Sequence, residues 1–334
     1  MARSYLAISA LAFAMAAPAF AQTRTTELKA VGTADAVDKT TQTEDVRFKN
    51  AVDDRMTVPV LLSGTGPFRF LVDTGADRTA ISRQLAARLN LSAGTGASLH
   101  SVTGVSSVST AKVPSLQLTR KALRIADAPI LESENMGADG ILGTDSLASQ
   151  RVVFDFAAQT MSIVPSSTPD FREEPGTIVV EARRRNGRLV VTDAIANGRD
   201  LTVVLDTGSQ VTIGNDALRD SLRKGDVSAE THPVELISVT GEKLTGEYMF
   251  LRELEIGGVT LKDLAIVFAP APTFKQLKLD RKPALLLGMN AIRAFKKVSI
   301  DFANRRLRVI LPQTSELQTQ VASKPWLGVP TTGQ

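Results

Sequence analysis

The 334-residue sequence contains no cysteine and only two histidines. Disulfides, thiol catalysis and zinc–thiolate sites are therefore excluded. His100 and His232 do not have the close spacing of a histidine metal site, and no serine lies in a Gly-x-Ser-x-Gly nucleophile elbow. Metal hydrolysis through histidine ligands and Ser-His-Asp catalysis are thus both disfavoured.

Aromatic residues make up only 5% of the chain, and the net charge of +4 is small. The densest basic stretch, residues 183–188, has no aromatic residues interleaved with its arginines, as a nucleic-acid site would. Its central Asn186-Gly187 pair favours a β-hairpin turn instead. We therefore expect no nucleic-acid partner.

Long apolar runs are also absent, apart from Leu6–Ala17 near the start. This run follows Arg3 and precedes a small-x-small site, so residues 1–21 are predicted to be a signal peptide cleaved after Ala21. The run is too short to favour a permanent membrane span. We expect an exported protein, periplasmic in a bacterium or secreted, with no span once the signal is removed.

Two stretches are the most informative part of the sequence, 70–76 and 203–209. In each, an apolar, β-prone run ends on Asp-Thr-Gly, which places Asp73 and Asp206 at the ends of buried strands. A buried carboxylate is unfavourable unless it is bonded or paired. Two such strands in one chain indicate that the two acids pair with each other, and the apolar approach argues against ordinary turn residues.

The surroundings of the two stretches repeat as well. A Ser-Val-Thr-Gly segment begins 28 residues after the first Asp and 32 after the second, at 101–104 and 238–241. A hydrophobic-hydrophobic-Gly triplet follows in each half, and then two closing strands. These segments lie at 141–143 and 286–288, at 152–156 and 298–302, and at 160–164 and 307–311. The same landmarks in the same order form an internal repeat.

The repeat predicts two β-rich lobes, each with a short helix, which Ser82 is expected to cap in the first lobe and Asn215 in the second. We place the lobes at residues 51–166 and 177–312, with a Pro- and Glu-containing joint between them. Residues 22–50 form a polar leader, for which a removable pro-segment stays an alternative, and 313–334 form a polar tail. Asp155 and Asp301 recur before turns, where local turn bonding is the favoured explanation.

The chemistry of paired carboxyl groups follows from their proximity. Two adjacent carboxylates resist double ionisation, so Asp73 and Asp206 are expected to share one proton. The charged acid then activates a water while the protonated one donates to a carbonyl, with no metal or cofactor. Gly75 and Gly208 permit the tight turn. Ser209 is expected to donate its hydroxyl to Asp206 and favour the charged form of that acid, whereas Ala76 offers Asp73 no hydroxyl. The lower apparent pKa of the pair is therefore expected to belong mainly to Asp206, with Asp73 more often holding the shared proton.

With these motifs the sequence resembles the pepsin/retropepsin superfamily of aspartic proteases, over residues 51–166 and 177–312. Val72 to Asp77 resembles the retroviral active-site loop, and Leu205 to Ser209 resembles the pepsin form. The resemblance implies a mostly β, single-chain, two-lobed acid-protease fold of bacterial type, in which two tandem retropepsin-like β-barrel lobes each carry short helices. Thr144 and Met289 stand after the Gly of each triplet, where the retroviral branch has Arg, and neither Ser-Val-Thr-Gly segment has the pepsin-type tyrosine.

The resemblance also assigns expected roles. Asp73 and Asp206 are the catalytic pair, and Thr74 and Thr207 brace one loop against the other. Asp77, matched by Gln210 in the second half, contacts substrate backbone. The two Ser-Val-Thr-Gly segments are flaps over the substrate, although plain hairpin tips stay an alternative. The flap residues expected to meet substrate are Thr103, Gly104, Thr240 and Gly241.

The leading functional hypothesis is an aspartic endopeptidase that acts on extended polypeptide, as a monomer, with dimerisation left open. A peptide-binding protein of the same fold without turnover is the first alternative, and the two intact Asp-Thr-Gly loops argue against it. A scaffold in the cell envelope is the second alternative.

Overall fold

A computed structural model describes residues 56–101, 104–118, 122–168, 174, 176–224 and 231–312. It also describes the backbone of four short strands near the start, β1 (Tyr5–Ala7), β2 (Phe13–Met15), β3 (Leu28–Ala30) and β4 (Val46–Arg47). Apart from these strands, the predicted signal peptide, leader and tail lie outside the described residues, as does most of the predicted joint.

Among the described residues from 56 to 168, the first half has ten strands and three short helices. They are β5 (Thr57–Leu62), β6 (Thr65–Val72), β7 (Ala80–Ser82), α1 (Arg83–Arg88), β8 (Ala97–His100), β9 (Val105–Val108), β10 (Thr110–Gln117), β11 (Ala122–Leu131), α2 (Ser133–Met136), β12 (Gly140–Leu142), α3 (Thr144–Leu147), β13 (Gln150–Asp155) and β14 (Thr160–Pro165).

The second half repeats this plan. Its elements are β15 (Thr177–Glu181), β16 (Arg183–Arg185), β17 (Arg188–Ala196), β18 (Arg199–Leu205), β19 (Thr212–Gly214), α4 (Asp216–Arg223), β20 (His232–Ile237), β21 (Lys243–Ile256), β22 (Val259–Phe268), α5 (Pro272–Gln276), β23 (Ala284–Leu287), α6 (Met289–Ile292), β24 (Lys297–Asp301) and β25 (Arg306–Ile310).

The strands form two lobes and a sheet that both share. In the first lobe β10-β11-β7-β12-β6-β5 close into a barrel, and in the second a β17–β21 pairing closes the path β17-β18-β23-β19-β22-β21. A six-stranded sheet, β15-β25-β24-β13-β14-β4, draws strands from both halves. The prediction of a mostly β, two-lobed fold is confirmed.

Local sequence signals set the short elements. The Ser82 side chain accepts a hydrogen bond from Leu85 N and begins α1, and Asn215 accepts from Leu218 N at the start of α4. The Asn186-Gly187 pair joins β16 to β17 with both residues at positive φ, as a tight hairpin requires. The predicted caps and hairpin are confirmed.

The strand that ends on each Asp is paired in parallel with the hydrophobic-hydrophobic-Gly strand of its own lobe. Val72 lies beside Leu142, and Leu205 lies beside Leu287. These four side chains are buried in one core cluster that reaches through both lobes. The burial predicted from the apolar runs is therefore present. The packed strands fix the position of each Asp-Thr-Gly loop.

Reciprocal ion pairs join the lobes across the shared sheet. β13 and β24 are antiparallel, so Arg151 pairs with Asp301 and Asp155 with Lys297. Arg151 Nη1 is 3.9 Å from Asp301 Oδ2, and Lys297 Nζ is 3.0 Å from Asp155 Oδ2. Burial alone lowers the pKa of Lys297, but hydrogen bonds and charges from Glu174 and Asp155 outweigh it and raise the pKa.

The expected turn bonding of the two acids is present as well. Asp155 Oδ1 accepts from Ala158 N and Asp301 Oδ1 accepts from Asn304 N, both at 2.9 Å. Each acid thus stabilises the turn of its own hairpin and also pairs with a basic side chain of the other half. The turn prediction is confirmed, and the bond between the lobes is an addition to it.

We expect Arg151→Met to destabilise the fold by about 3–5 kcal/mol, because it leaves the buried Asp301 carboxylate without its partner. The double variant Arg151→Met, Asp301→Asn should recover part of that loss, since no uncompensated charge remains. Urea unfolding of both variants measures the difference. Lys297→Met is the matched control at the more exposed pair, where the loss should be smaller. Equal stability of single and double variants would contradict a direct coupling.

Candidate active site

The structure brings the two Asp-Thr-Gly loops together at the junction of the lobes. Asp73 follows β6 and Asp206 follows β18, and both residues are completely buried. Asp73 N donates to Leu142 O at 3.0 Å, and Asp206 N donates to Leu287 O at 3.1 Å. Each acid is therefore fixed by the triplet strand of its own lobe.

Backbone amides hold one oxygen of each carboxyl group. Gly75 N donates to Asp73 Oδ1 at 2.8 Å, and Gly208 N donates to Asp206 Oδ1 at 3.1 Å. A Cβ atom on Gly208 would lie only 2.2–2.4 Å from the Asp73 carboxyl atoms. The second loop therefore abuts the Asp73 carboxyl group, and glycine is required at that approach.

Two threonines bind the loops to each other with the same bonds in both directions. Thr74 N donates to Thr207 Oγ1 at 3.1 Å, and Thr207 N donates to Thr74 Oγ1 at 3.0 Å. Their hydroxyls donate in turn to the opposite strands, to Leu205 O at 2.9 Å and to Val72 O at 2.7 Å. Buried hydrogen bonds of this kind are stronger than exposed ones because water does not compete.

The electrostatics of the loops favour a protonated Asp73. Burial is the main cause that raises the pKa of Asp73 well above 3.8, and the neighbouring Asp206 carboxyl raises it further. Amide hydrogen bonds from Gly75 and Ala76 and the charge of Arg188 act in the opposite direction but do not outweigh burial. The buried pair thus has a physical reason to hold a proton at a pH where exposed carboxyl groups are ionised.

The hydroxyl that was expected to favour ionised Asp206 binds elsewhere. Ser209 Oγ donates to Val211 O at 2.6 Å, and it is the Ser209 backbone N that donates to Asp206 Oδ1, at 3.2 Å. The prediction that the Ser209 hydroxyl makes the pair unequal was therefore wrong. A short serine side chain bonds readily to the nearby backbone, and this local bond prevails here.

A second pair of threonines braces each loop from behind, a feature missed in the sequence. Thr79 Oγ1 donates to Asp145 Oδ1 at 2.7 Å, and in the other lobe Thr212 Oγ1 donates to Asn290 Oδ1 at 2.8 Å. The same hydroxyls accept from the triplet glycine amides, Gly143 N and Gly288 N. The sequence pattern that could have predicted this feature occurs in both halves. A Thr stands six residues after the Asp of each Asp-Thr-Gly, and an Asp or Asn stands two residues after the Gly of each triplet.

Arg188 is the other functional residue that the sequence did not single out. Its side chain is completely buried, although it belongs to a hairpin otherwise made of exposed arginines. Arg188 Nε donates to Gly75 O at 2.7 Å, and Nη2 lies 3.1 Å from Asp77 Oδ1. A residue of the second lobe thus positions the Asp-Thr-Gly loop of the first.

The predicted flap segments lie at two hairpin tips. Gly104 is at the tip between β8 and β9, and Thr240 and Gly241 are at the tip between β20 and β21. Thr103 lies outside the described residues. Ser106 Oγ donates to Glu242 Oε1 at 3.2 Å, so the two hairpins touch each other.

Comparison with known families agrees with this geometry. Residues 58–149 match the family described as "gag-polyprotein putative aspartyl protease", and residues 192–291 match the family described as "Aspartyl protease". One match falls on each half, and each includes one Asp-Thr-Gly loop. No curated protein matches the chain. Among the residues that the structure describes, no helix is long and apolar enough to cross a bilayer.

We expect Asp73→Asn to stabilise the protein at neutral pH, because the buried Asp73 carboxyl, whose pKa is raised mainly by burial, costs stability once the pH permits its ionisation in the unfolded chain. The pKa of Asp73 is higher in the folded protein than the value of 3.8 expected in the unfolded chain. The unfolding free energy of the wild type is therefore greatest below pH 3.8 and decreases as the pH rises through the folded-state pKa. The variant has no such loss. Unfolding free energies from pH 3 to 8 test this, with the exposed Asp200→Asn as control. A constant difference across that range would contradict the expectation.

We also expect Arg188→Met to move the alkaline limb of the activity profile to higher pH, because a charge that favours ionised Asp73 is removed and Asp73 keeps its proton to higher pH. Arg188→Lys should keep the limb near its wild-type position and still lower kcat/KM by about tenfold, since the guanidinium geometry is lost. Activity against pH on an unfolded protein is the measurement, and the exposed Arg184→Met is the control. An unmoved limb in Arg188→Met would count against the positioning role.

Proposed function

Because the chain belongs to the retropepsin-like aspartic protease superfamily, we propose that it is an endopeptidase whose catalytic pair is Asp73 and Asp206. The observation that carries the proposal is the junction of the two loops, where buried carboxyl groups are held together by reciprocal threonine bonds. A buried acid with a strongly raised pKa beside a second acid is typical of acid–base catalysis.

The proposed reaction uses a water between the two carboxyl groups. Asp206, ionised, takes a proton from this water as the oxygen attacks the scissile carbonyl carbon, and Asp73 gives its proton to the carbonyl oxygen. The product is a neutral tetrahedral diol. When the C–N bond breaks, Asp206 returns its proton to the leaving nitrogen and Asp73 recovers one from a diol hydroxyl. The pair ends in its starting state.

The proposed substrate is an extended polypeptide that lies between the loops and the flaps. We propose that the hairpin tips with Gly104 and Gly241 cover this strand-like partner. The proposed role of the Asp77 carboxylate, which is about one quarter exposed and lies 3.1 Å from Arg188 Nη2, is to accept a substrate N–H. We further propose that the protein is exported through residues 1–21 and acts as a monomer, since each half supplies one acid.

The test is cleavage of an unfolded protein by the wild type and by Asp73→Asn and Asp206→Asn. Each variant should lose about a thousandfold or more in rate, because removal of the acid or the base abolishes the concerted proton transfers. Asp200→Asn, on an exposed site of the same strand that leads to Asp206, is the matched control and should keep full activity. Peptide binding without cleavage by the wild type would favour a silent binding protein instead.

A further inference from the structure

The second lobe carries an exposed basic surface that the candidate active site does not use. Arg185 Nη1 donates to Leu277 O at 2.8 Å across 92 positions of the chain, and Asn186 Nδ2 donates to Gln276 O at 3.2 Å. These bonds fasten the β16 hairpin to the segment 275–282, and both contribute cations. We name the result the basic surface; its members, all exposed, are Arg183, Arg185, Lys275, Lys278, Arg281 and Lys282.

The strand register places two arginines on the side of the hairpin where this segment packs. Arg183 lies opposite Val190, and directly opposed residues of two antiparallel strands share one face of the sheet. Val190 is buried in a cluster with Leu277. Arg185 shares the face of Arg183 because side chains two positions apart in a strand point the same way.

The basic surface has almost no acid to neutralise it. Its six basic residues and Asp280, the one acid within 275–282, give a net charge of +5, which exceeds the +4 of the whole chain. Glu181, two positions before Arg183, lies opposite Arg306 in the shared sheet. Among the residues that the structure describes, no member of the surface forms an ion pair.

Other exposed basic residues of the protein do have acidic partners. The pairs are Arg83 with Glu132, Arg223 with Glu247, and Lys243 with Glu235. Six cations gathered without such partners repel one another and generate a positive potential that attracts anions. The difference indicates that the charges of the basic surface are balanced by a partner outside the chain.

The composition of the surface indicates the kind of anion. The apolar residues of the segment, Leu277 and Leu279, are buried, so none is left exposed for insertion into a bilayer. The segment and the β16 strand contain no aromatic residue on which a nucleic-acid base could stack. The charges come from two separate parts of the chain, an arrangement that suits many weak contacts with a broad layer of anionic headgroups.

We infer that the basic surface docks the protein on an anionic lipid bilayer, peripherally and without insertion. None of its six members belongs to the candidate catalytic pair or its braces, so the inference does not depend on the proposed peptidase function. The hairpin that carries Arg183 and Arg185 continues into Arg188, which binds Gly75 O. Docking would therefore also set the orientation of the Asp73 loop relative to the bilayer.

The test is cosedimentation of the full chain with vesicles of phosphatidylglycerol mixed with phosphatidylcholine. We expect binding at about 0.05 M salt and release at about 0.5 M, because salt screens exposed charges. Vesicles of phosphatidylcholine alone measure any contribution from the apolar residues 6–17 and should bind about tenfold more weakly.

Two triple variants with the same net charge complete the design. The first removes three cations from the basic surface and should weaken binding to the anionic vesicles by about tenfold or more; it is Arg183→Gln, Lys275→Gln, Lys278→Gln. The control removes three exposed cations elsewhere and should change binding by less than about twofold; it is Arg124→Gln, Arg199→Gln, Arg252→Gln. Urea unfolding checks that both are folded, and Lys275→Gln with Lys278→Gln replaces the first if it is not.

Each other outcome overturns the inference. Absence of binding to anionic vesicles at low salt contradicts docking, and equal losses in the two triple variants reduce it to an effect of net charge. Equal binding to phosphatidylcholine vesicles assigns the contact to apolar residues. Displacement by inorganic phosphate at matched ionic strength would indicate a site for a single phosphate. Binding to RNA or polyglutamate but not to vesicles would assign the surface to a soluble polyanion.

Discussion

Two buried carboxyl groups repel each other when both are ionised, and the junction of the lobes is arranged to hold them together against that repulsion. The four hydrogen bonds of Thr74 and Thr207 act at this point, each crossing from one loop to the other lobe. Because both partners of every bond are buried, loss of one leaves an unsatisfied polar group, which adds to the penalty of separation. The threonine hydrogen bonds therefore join the lobes at the place where repulsion between the two Asp carboxylates would separate them.

The shared sheet supplies the second part of the same constraint. Its antiparallel register sets each basic residue opposite an acid of the other half, Arg151 opposite Asp301 and Lys297 opposite Asp155. A shift of two residues along the strand would break both ion pairs while keeping the apolar face inward. The ion pairs thus specify the register between the halves, and that register determines whether the two Asp loops face each other.

The lobes, the Asp loops and the helix caps were predictable because their signals are local in the chain. Ser82 and Asn215 bond three residues ahead, and the apolar runs end at the acids themselves. Arg188 was not predictable, since the carbonyl that it binds is 113 positions away and its neighbours are exposed arginines. The Ser209 prediction was wrong because the sequence identifies the hydroxyl donor but not the acceptor that it binds. Two acceptors lay within reach of this hydroxyl.

Comparison of the two halves separates the scaffold from the cleft. The bracing residues are the same or similar in both: Thr74 and Thr207, Thr79 and Thr212, and the charges that close the shared sheet. The halves differ in the residues that follow each Asp-Thr-Gly, where Asp77 corresponds to Gln210, Ala76 to Ser209 and Ala80 to Ile213. Two identical copies would be restricted to a symmetric cleft, whereas one chain carrying both halves is free of that restriction. A polypeptide has direction, so a cleft with unequal sides can fix which way it lies and hence which bond meets the two acids.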